Sequence, residues 1–185
     1  GLDLSDEASI EGQLSALSEP FDAILVASGA LEINGARPEK ALSQLTQSAF
    51  LDQFIVNAAG PALILKHAPR LLPKERPSQF AALSARVGSI GDNKIGGWYS
   101  YRAAKAALNQ IIHTGAIELA RTHKQAVCVA LHPGTVQTPF TAKYLGRHPS
   151  VPASQAALNL LSVLEGLGPD KTGQFFDWEG KPVPW

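Results

Sequence analysis

The chain has 185 residues, 45% of them apolar, which is enough for one domain with a single buried core. Sixteen basic residues balance sixteen acidic ones, so the zero formal charge argues against nucleic acids or anionic membranes as partners. The single cysteine, Cys128, lies in an apolar run and cannot form an intrachain disulfide, which favours a cytoplasmic location. No apolar run approaches the roughly 18 residues of a membrane span, and residues 1–7 do not resemble a signal peptide.

Short apolar runs alternate along the chain with longer segments of helical period. In chain order, we predict a helix at residues 5–17, a strand at 21–27, a helix at 48–72, a strand at 79–84, a helix at 99–122, a strand at 126–131, a helix at 153–164 and a strand at 173–177. This alternation predicts an α/β fold in one domain over residues 1–185, in which a parallel sheet is covered by helices. The loops after the carboxyl ends of the strands are the expected place for a binding site.

Near its start, the helix predicted at 99–122 carries Tyr101 and Lys105, which are four residues apart and therefore share one helical face. A phenol beside an ammonium group is a candidate proton donor, because the positive charge stabilises the phenolate and lowers the tyrosine pKa from about 10. A chance surface pair on an amphipathic helix is the alternative. Small neighbours favour the functional interpretation, because they let another molecule approach this helix closely; they are Ala103, Ala104, Ala106 and Ala107.

Seven strings, in the same order along the chain, resemble those of the short-chain dehydrogenase/reductase family and, within it, the C-factor-like branch of small carbonyl reductases. They are Asp3-Leu4, Ala27-Ser28-Gly29-Ala30, Asn57 within 56–61, Leu83-Ser84-Ala85-Arg86-Val87-Gly88-Ser89, the Tyr101/Lys105 pair, His132-Pro133-Gly134-Thr135-Val136-Gln137-Thr138, and 175–185. The resemblance implies a Rossmann-like doubly wound parallel sheet. It also implies an oxidoreductase that uses NAD or NADP to transfer hydride to or from a small carbonyl or alcohol substrate.

The resemblance implies a role for each matched residue. Tyr101 would be the general acid or base, and Lys105 would lower its pKa and bind the nicotinamide ribose. Asn57 would bend its helix around a water that connects Lys105 to solvent; the alternative is an asparagine satisfied by a backbone carbonyl. The resemblance also implies cofactor contacts on the adenosine side, from the backbone of Ala27, Ser28 and Gly29, with Asp3 at the adenine amine and Leu4 beside it. On the nicotinamide side the contacts would come from Pro133, Gly134, Val136 and Thr138. No metal is expected, Asp3 is equally explained as a surface carboxylate, and His132 is interpreted as a packing residue.

The sequence departs from the family pattern at the catalytic serine, because Ala85 occupies that position. Ser84 lies one residue earlier, and adjacent side chains of a strand face opposite ways, so Ser84 takes the role only if the backbone twists at the strand end. Ser89 is the other candidate, and a third possibility is that Tyr101 alone orients the substrate. We assign the role to Ser84.

The glycine-rich phosphate turn of the family is a second departure, because no such turn occurs in the sequence. The family orders its strands 3-2-1-4-5-6-7, so the strand at 21–27 would be a sheet edge although its apolar sequence is typical of a central strand. We therefore expect a strand–helix–strand segment to precede Gly1 in the complete gene product.

Two functional hypotheses follow, a cytoplasmic oxidoreductase and a non-catalytic signalling or binding module with a vestigial cofactor site. Ala85 and the missing phosphate turn favour the module, whereas Asn57, Tyr101 and Lys105 favour the enzyme. A serine hydrolase is disfavoured because there is no Gly-x-Ser-x-Gly motif.

Further residues predict the substrate pocket and the assembly. An apolar pocket under a lid at 139–152 is predicted from Trp98, Phe140, Tyr144 and Leu145. A homodimer or homotetramer is predicted from apolar positions on the two helices that carry Asn57 and Tyr101, with intrachain core as the alternative; these positions are Leu63, Leu65, Leu108, Ile111 and Ile112.

Overall fold

A four-stranded parallel sheet forms the centre of the computed structural model, which describes residues 1–146 and 149–185. Its strands are β1 (Ala23–Val26), β2 (Ser78–Leu83), β3 (Ala126–His132) and β6 (Phe175–Asp177), in the order β1-β2-β3-β6. The register pairs Val26 with Ala82, Leu83 with Leu131, and His132 with Asp177. Two short strands, β4 (Thr135–Gln137) and β5 (Ser150–Pro152), form a separate parallel pair.

The helices connect the strands at the places that the sequence predicts. They are α1 (Glu7–Ser15), α2 (Gln47–Phe54), α3 (Gly60–Lys66), α4 (Ala68–Leu71), α5 (Tyr99–Thr122) and α6 (Ala153–Glu165). The helix predicted at 48–72 is therefore not continuous. A π-helical turn, Ile55–Ala59, separates α2 from α3, and α4 follows α3 after His67.

The sheet is covered on both faces, and neighbouring strand residues alternate between the two cores. One core joins α1, α3 and α5 to the sheet, and its strand residues include Phe80, Ala82, Cys128, Ala130 and Phe175. The other joins α6 to the opposite face, and its strand residues include Ala81, Val127, Val129, Leu131 and Phe176. This arrangement confirms the predicted α/β fold with a doubly wound parallel sheet.

Strand β1 lies at the edge of the sheet and pairs only with β2 among the described residues. The edge position predicted for this strand is therefore confirmed, and its apolar side chains are not fully covered, since Leu25 is 41% exposed and Ala23 is also exposed. The apolar sequence of β1 is typical of a strand that is buried on both faces, whereas the structure leaves two of its four residues exposed.

The residues predicted for an oligomer interface lie mainly in the core of the chain. Leu65, Leu108 and Ile112 are buried there, and Leu63 and Ile111 pack against the same cluster. The alternative interpretation of these positions, intrachain core, is therefore the correct one. Other apolar side chains on the same two helical segments are exposed instead: Phe50, Leu51, Phe54, Ile55 and Ile117.

The helical segment Gln47–Lys66 is long and apolar enough to cross a membrane by length and composition alone. The sequence estimate for apolar runs did not anticipate this. The core helix of a soluble protein passes the same test, and Ile64 and Leu65 of this segment do belong to the core. The finding is therefore weak support for a membrane location.

Candidate active site

The first turns of α5 place Tyr101 and Lys105 at the carboxyl edge of the sheet. Both side chains are buried, with exposed fractions of 5% and 3%. The Lys105 Nζ donates a hydrogen bond of 2.9 Å to the carbonyl of Leu83, the last residue of β2. The same nitrogen lies 5.8 Å from the centroid of the Tyr101 ring. The predicted pair is thus real, and it lies where ligands bind in open α/β sheets.

Burial sets the pKa values of both groups. It raises the pKa of Tyr101 well above the ordinary value for a phenol, and it lowers the pKa of Lys105 to about 8. The expectation that Lys105 lowers the pKa of Tyr101 is therefore not met by the chain itself. Loss of hydration dominates, because burial removes the water that would stabilise a phenolate, and the Lys105 ammonium hydrogen-bonds to the carbonyl of Leu83. Tyr101 is consequently fully protonated at neutral pH.

Two aromatic rings flank Tyr101, and they come from two different loops. The Trp98 ring centroid lies 6.3 Å from that of Tyr101, and the Phe140 centroid lies 6.2 Å away on the segment that follows β3. Leu145 is partly exposed. The side chain of Tyr144, and residues 147–148 of the expected lid, lie outside the described part of the structure. The apolar surroundings predicted for the site are thus seen at Trp98 and Phe140.

Asn57 lies in the π-helical turn and is completely buried. Its Nδ2 donates to the carbonyl of Ala30 at 2.8 Å and to Gln53 Oε1 at 2.7 Å, and its Oδ1 accepts from the Ala30 N–H at 3.1 Å. The asparagine therefore holds the loop after β1, in agreement with the simpler interpretation of a backbone-satisfied side chain. Its role in a proton relay stays a prediction.

Gly29 brings three predicted site elements together. A Cβ atom at this position would lie 2.8 Å from Asn57 Oδ1 and 3.4 Å from Lys105 Nζ. Only a residue without a side chain fits such an approach without displacing its neighbours. The backbone of Ala27, Ser28 and Gly29 is exposed beside these groups, so it is open to a ligand.

The structure does not support Ser84 in the role of the catalytic serine. Its hydroxyl donates to Asn109 Oδ1 at 2.6 Å in the interior of the protein. Asn109 is eight residues beyond Tyr101 on α5, which is about 12 Å along the helix axis. The backbone does not turn this hydroxyl toward Tyr101, because the usual strand alternation continues to the end of β2.

The second serine candidate is also engaged elsewhere. Ser89 is buried, and its hydroxyl accepts the N–H of Asp92 at 3.1 Å within its own loop. Ala85, in the family's serine position, has extended backbone and no hydroxyl to offer. The remaining possibility is that Tyr101 orients the substrate without a serine.

The loop after β3 is shaped by a contact that the sequence does not reveal. Gly134 has a φ of +75°, and a Cβ there would lie 2.8 Å from the Trp178 indole. The Thr138 N–H donates to Thr141 Oγ1 at 3.2 Å, which folds the following segment back. Pro133 and Val136 are half-buried. These residues line the carboxyl end of β3, next to the strand that carries Leu83.

The remaining predicted residues lie at the start of the chain and at the end of β3. Asp3 is exposed and accepts the N–H and hydroxyl of Ser5 at 2.8 and 2.7 Å, and these hydrogen bonds lower its pKa. Leu4 packs against Gly60, whose added Cβ would lie 2.6 Å from the Leu4 carbonyl oxygen. Burial lowers the pKa of His132 to about 4, so this imidazole is neutral at physiological pH.

The described residues fit the two nucleoside ends of a dinucleotide, as the family resemblance assigns them. The exposed backbone at 27–29 adjoins Lys105 and Asn57, and the loop 133–138 follows the neighbouring strand. The 185-residue sequence offers no glycine-rich turn for the phosphates. The fit therefore does not extend to the phosphates.

Comparisons with known proteins agree with this geometry. A family profile described as enoyl-(acyl carrier protein) reductase matches residues 1–163. The C-signal protein of Myxococcus xanthus is 35% identical over 148 residues, which are 78% of this chain and 84% of that protein. The 1-hydroxy-2-glutathionyl-2-methyl-3-butene dehydrogenase of Rhodococcus sp. strain AD45 is 30% identical over 100% of this chain and 79% of the enzyme.

A solved structure shares both the fold and more than a quarter of the sequence. It is that of a Burkholderia multivorans protein described as a short-chain dehydrogenase/reductase, with bound NADP, and it superposes with a TM-score of 0.81 at 26% identity. The match covers 100% of this chain and 75% of that one. The chain belongs to the short-chain dehydrogenase/reductase family and is an oxidoreductase of that class.

Proposed function

We propose that this chain reduces a small apolar carbonyl compound to an alcohol, with NAD(P)H as the hydride donor and Tyr101 as the proton donor. The observation that carries this proposal is the buried Tyr101–Lys105 pair at the carboxyl edge of the sheet, beside the exposed turn at 27–29. The dehydrogenase relative and the NADP-bound structure support it.

The chain's own residues determine how the proton moves. Burial keeps Tyr101 protonated, so its hydroxyl is ready to donate a proton to a carbonyl oxygen. When bound, the nicotinamide cofactor supplies the hydride to the carbonyl carbon. As the Tyr101 O–H bond breaks, the new O–H bond of the alcohol forms and the phenolate is left beside Lys105. With a pKa of about 8, Lys105 carries most of its positive charge at pH 7 and stabilises that phenolate.

Asn57 has a supporting role in this proposal. Its amide fixes the turn that follows β1 and lies across Gly29 from the Lys105 ammonium. A water bound between them would return a proton to the site from solvent, as the family resemblance implies. Asp3 would lie at the adenosine end of the cofactor.

The surroundings of Tyr101 define the class of substrate. Trp98 and Phe140 present aromatic surface on two sides of the phenol, and Ala85 leaves a methyl group where the family has a hydroxyl. An apolar carbonyl compound gains from burial against such surfaces without a second hydrogen-bond donor. The substrate would therefore be held mainly by apolar contacts and by Tyr101.

The assembly and location are part of the same proposal. We infer a cytoplasmic homodimer or homotetramer, formed through the exposed apolar side chains of α2 and α5. Exposed clusters of this kind often mark interfaces between protein chains.

A non-catalytic signalling or binding module is the second candidate. The alanine at position 85 favours it, and so does the 35% identity to the protein named C-signal. In that case the chain would bind its partner without turning over substrate.

The test is oxidation of NADPH and NADH in the presence of apolar aldehydes and ketones. The proposal expects turnover that depends on both cofactor and carbonyl compound. Cofactor binding without turnover for every carbonyl compound tried would favour the module instead.

A further inference from the structure

Glu39, in the loop between β1 and α2, is a buried carboxylate at the start of the helix that carries Tyr101. It is only 3% exposed, although loop glutamates usually lie in solvent. Its Oε2 accepts the N–H of Ser100 at 3.3 Å, and its backbone carbonyl accepts the N–H of Trp98 at 2.5 Å. A single residue of a distant loop therefore meets the first turn of α5 at two points.

This contact supplies what the helix start lacks. The first N–H groups of a helix have no partner within the helix, and a capping side chain usually satisfies one of them. The capping position of α5 is Trp98, which has a left-handed backbone with a φ of +55° and provides no side-chain cap. A negative charge also suits the positive end of a helix of 24 residues. Glu39 thus performs the capping that residue 98 does not.

The second oxygen of Glu39 shows that the arrangement has a cost. Its Oε1 is buried and has no hydrogen-bond partner among the described residues. A buried polar atom without a partner is unfavourable, and such atoms are uncommon in folded proteins. The acceptor at Oε2 is therefore retained at the expense of an unsatisfied Oε1, which points to a role for the Ser100 contact beyond packing.

Arg102 fixes the same turn from the other side. Its guanidinium donates to the backbone carbonyls of Val87 at 3.1 Å, Gly96 at 3.2 Å and Gly97 at 2.9 Å. The loop before α5 is thereby tied to the residue that follows Tyr101. With Ser100 held by Glu39 and Arg102 held to this loop, Tyr101 is fixed on both sides along the chain.

We propose that Glu39 is a positioning residue for Tyr101. Through the N–H groups of Ser100 and Trp98, it sets where the Tyr101 hydroxyl meets the substrate oxygen. This inference rests on the proposed reductase function. A small displacement of a proton donor is expected to lower the rate of the chemical step more than it weakens binding.

The experiment compares Glu39→Ala and Glu39→Gln with the wild type. Glu118→Ala serves as a matched control, because Glu118 is an exposed carboxylate on the same helix. We expect Glu39→Ala to lower kcat by about 10- to 100-fold while the cofactor KM changes by less than about threefold. Glu39→Gln keeps an acceptor oxygen for the Ser100 N–H and should recover most of that loss. Glu118→Ala should match the wild type.

Two further readouts separate positioning from a general loss of structure. The fraction of Glu39→Ala that binds cofactor should equal that of the wild type. Hydrogen–deuterium exchange should increase in residues 98–102 and stay unchanged in the strands. An unchanged kcat for Glu39→Ala, or no recovery in Glu39→Gln, would overturn the inference.

Failure of the proposed reductase function and failure of the positioning role of Glu39 give different results. A wild-type protein without turnover would contradict the proposed reductase function, whereas the exchange measurement would still decide whether Glu39 holds the first turn of α5.

If Glu39→Ala does not fold, the comparison of Glu39→Gln with the wild type replaces it. Glu39→Gln with full cofactor binding and a kcat lowered by less than about tenfold supports positioning by the acceptor oxygen. A loss as large as that expected for the alanine variant contradicts it.

Discussion

At the scale of one residue, burial of Lys105 makes its charged form less stable than it is in water. Its ammonium donates a hydrogen bond to the carbonyl of Leu83, and burial lowers its pKa to about 8. In the unfolded chain the ordinary value is 10.5. Each unit of this difference corresponds to about 1.4 kcal/mol of cost for holding the charge inside the protein at neutral pH. The proposed role of Lys105 in stabilising the Tyr101 phenolate requires this charge.

Replacement of Lys105 by Met is therefore expected to stabilise the protein at pH 7, by about 1–3 kcal/mol in the free energy of unfolding. Between pH 8 and pH 10.5 the unfolded chain binds a proton that the native state does not, so wild-type stability rises with pH in this window. The advantage of Lys105→Met should accordingly shrink by pH 10, which denaturant unfolding at both pH values measures. Lys74→Met, at an exposed lysine, is the control with little change at either pH. A Lys105→Met variant less stable than the wild type at pH 7 would contradict this explanation.

At the scale of elements, an ion pair joins the segment beyond β4 to the loop after β1. Lys143, in the 3₁₀ turn Ala142–Tyr144, donates to Glu32 Oε1 and Oε2 at 2.8 and 2.6 Å. The same segment carries Phe140, which flanks Tyr101. The pair is partly exposed, so its effect on global stability is small, and it holds the segment that carries Phe140 against the loop after β1.

The variant Lys143→Ala should change the free energy of unfolding by less than about 1 kcal/mol. Its KM for the carbonyl substrate should rise about two- to fivefold, because the closed segment loses an attraction of that size. Wild-type KM should also rise with salt between roughly 0.05 and 0.5 M, as screening weakens the pair. The same salt series in Lys143→Ala should be flat. Equal salt dependence in both proteins would show that this pair does not control the segment.

The sequence predicts those elements that are determined by neighbouring residues, and it does not predict features that depend on contacts between distant parts of the chain. Seven of the eight predicted helices and strands occur as single elements, because their apolar periodicity is local, whereas the helix predicted at 48–72 is divided by a π-helical turn and again after α3. The Tyr101–Lys105 pair follows from helix geometry in the same way. The buried position of Glu39 and the packing of Trp178 on Gly134 depend on residues far apart in the chain, so no local pattern indicates them. The direction of the Ser84 side chain and the pKa of Tyr101 depend on the surrounding protein, and there the sequence expectation was wrong.

At the scale of the whole molecule, the sheet is covered on both faces but apolar side chains still remain in solvent. Phe54 is 47% exposed and Leu51 is 53% exposed on α2, and Ile117 on α5 is similar. A surface of this kind is expected to pair with a second copy of the chain. The core positions that the sequence indicated for this role are already used inside one chain.

Phe54→Glu is expected to lower the assembly state, because the charge would have to be desolvated in an apolar interface. Sedimentation velocity over a range of protein concentrations measures this, with a wild-type dimer or tetramer and a smaller species for the variant. Leu42→Glu, at an exposed position in the 3₁₀ turn Leu42–Gln44, is the control that should assemble normally. A wild type that is monomeric at every concentration would contradict the proposed assembly.

The most direct measurement is NADPH oxidation with an apolar ketone by the wild type and by Tyr101→Phe. The Tyr101 hydroxyl is the only difference between the two side chains, and removing a proton donor is expected to lower kcat by at least about 100-fold. Circular dichroism and cofactor binding should be unchanged, because the phenylalanine ring fills the same space between Trp98 and Phe140. Equal turnover by the two proteins would remove Tyr101 from the chemistry and contradict the proposed mechanism.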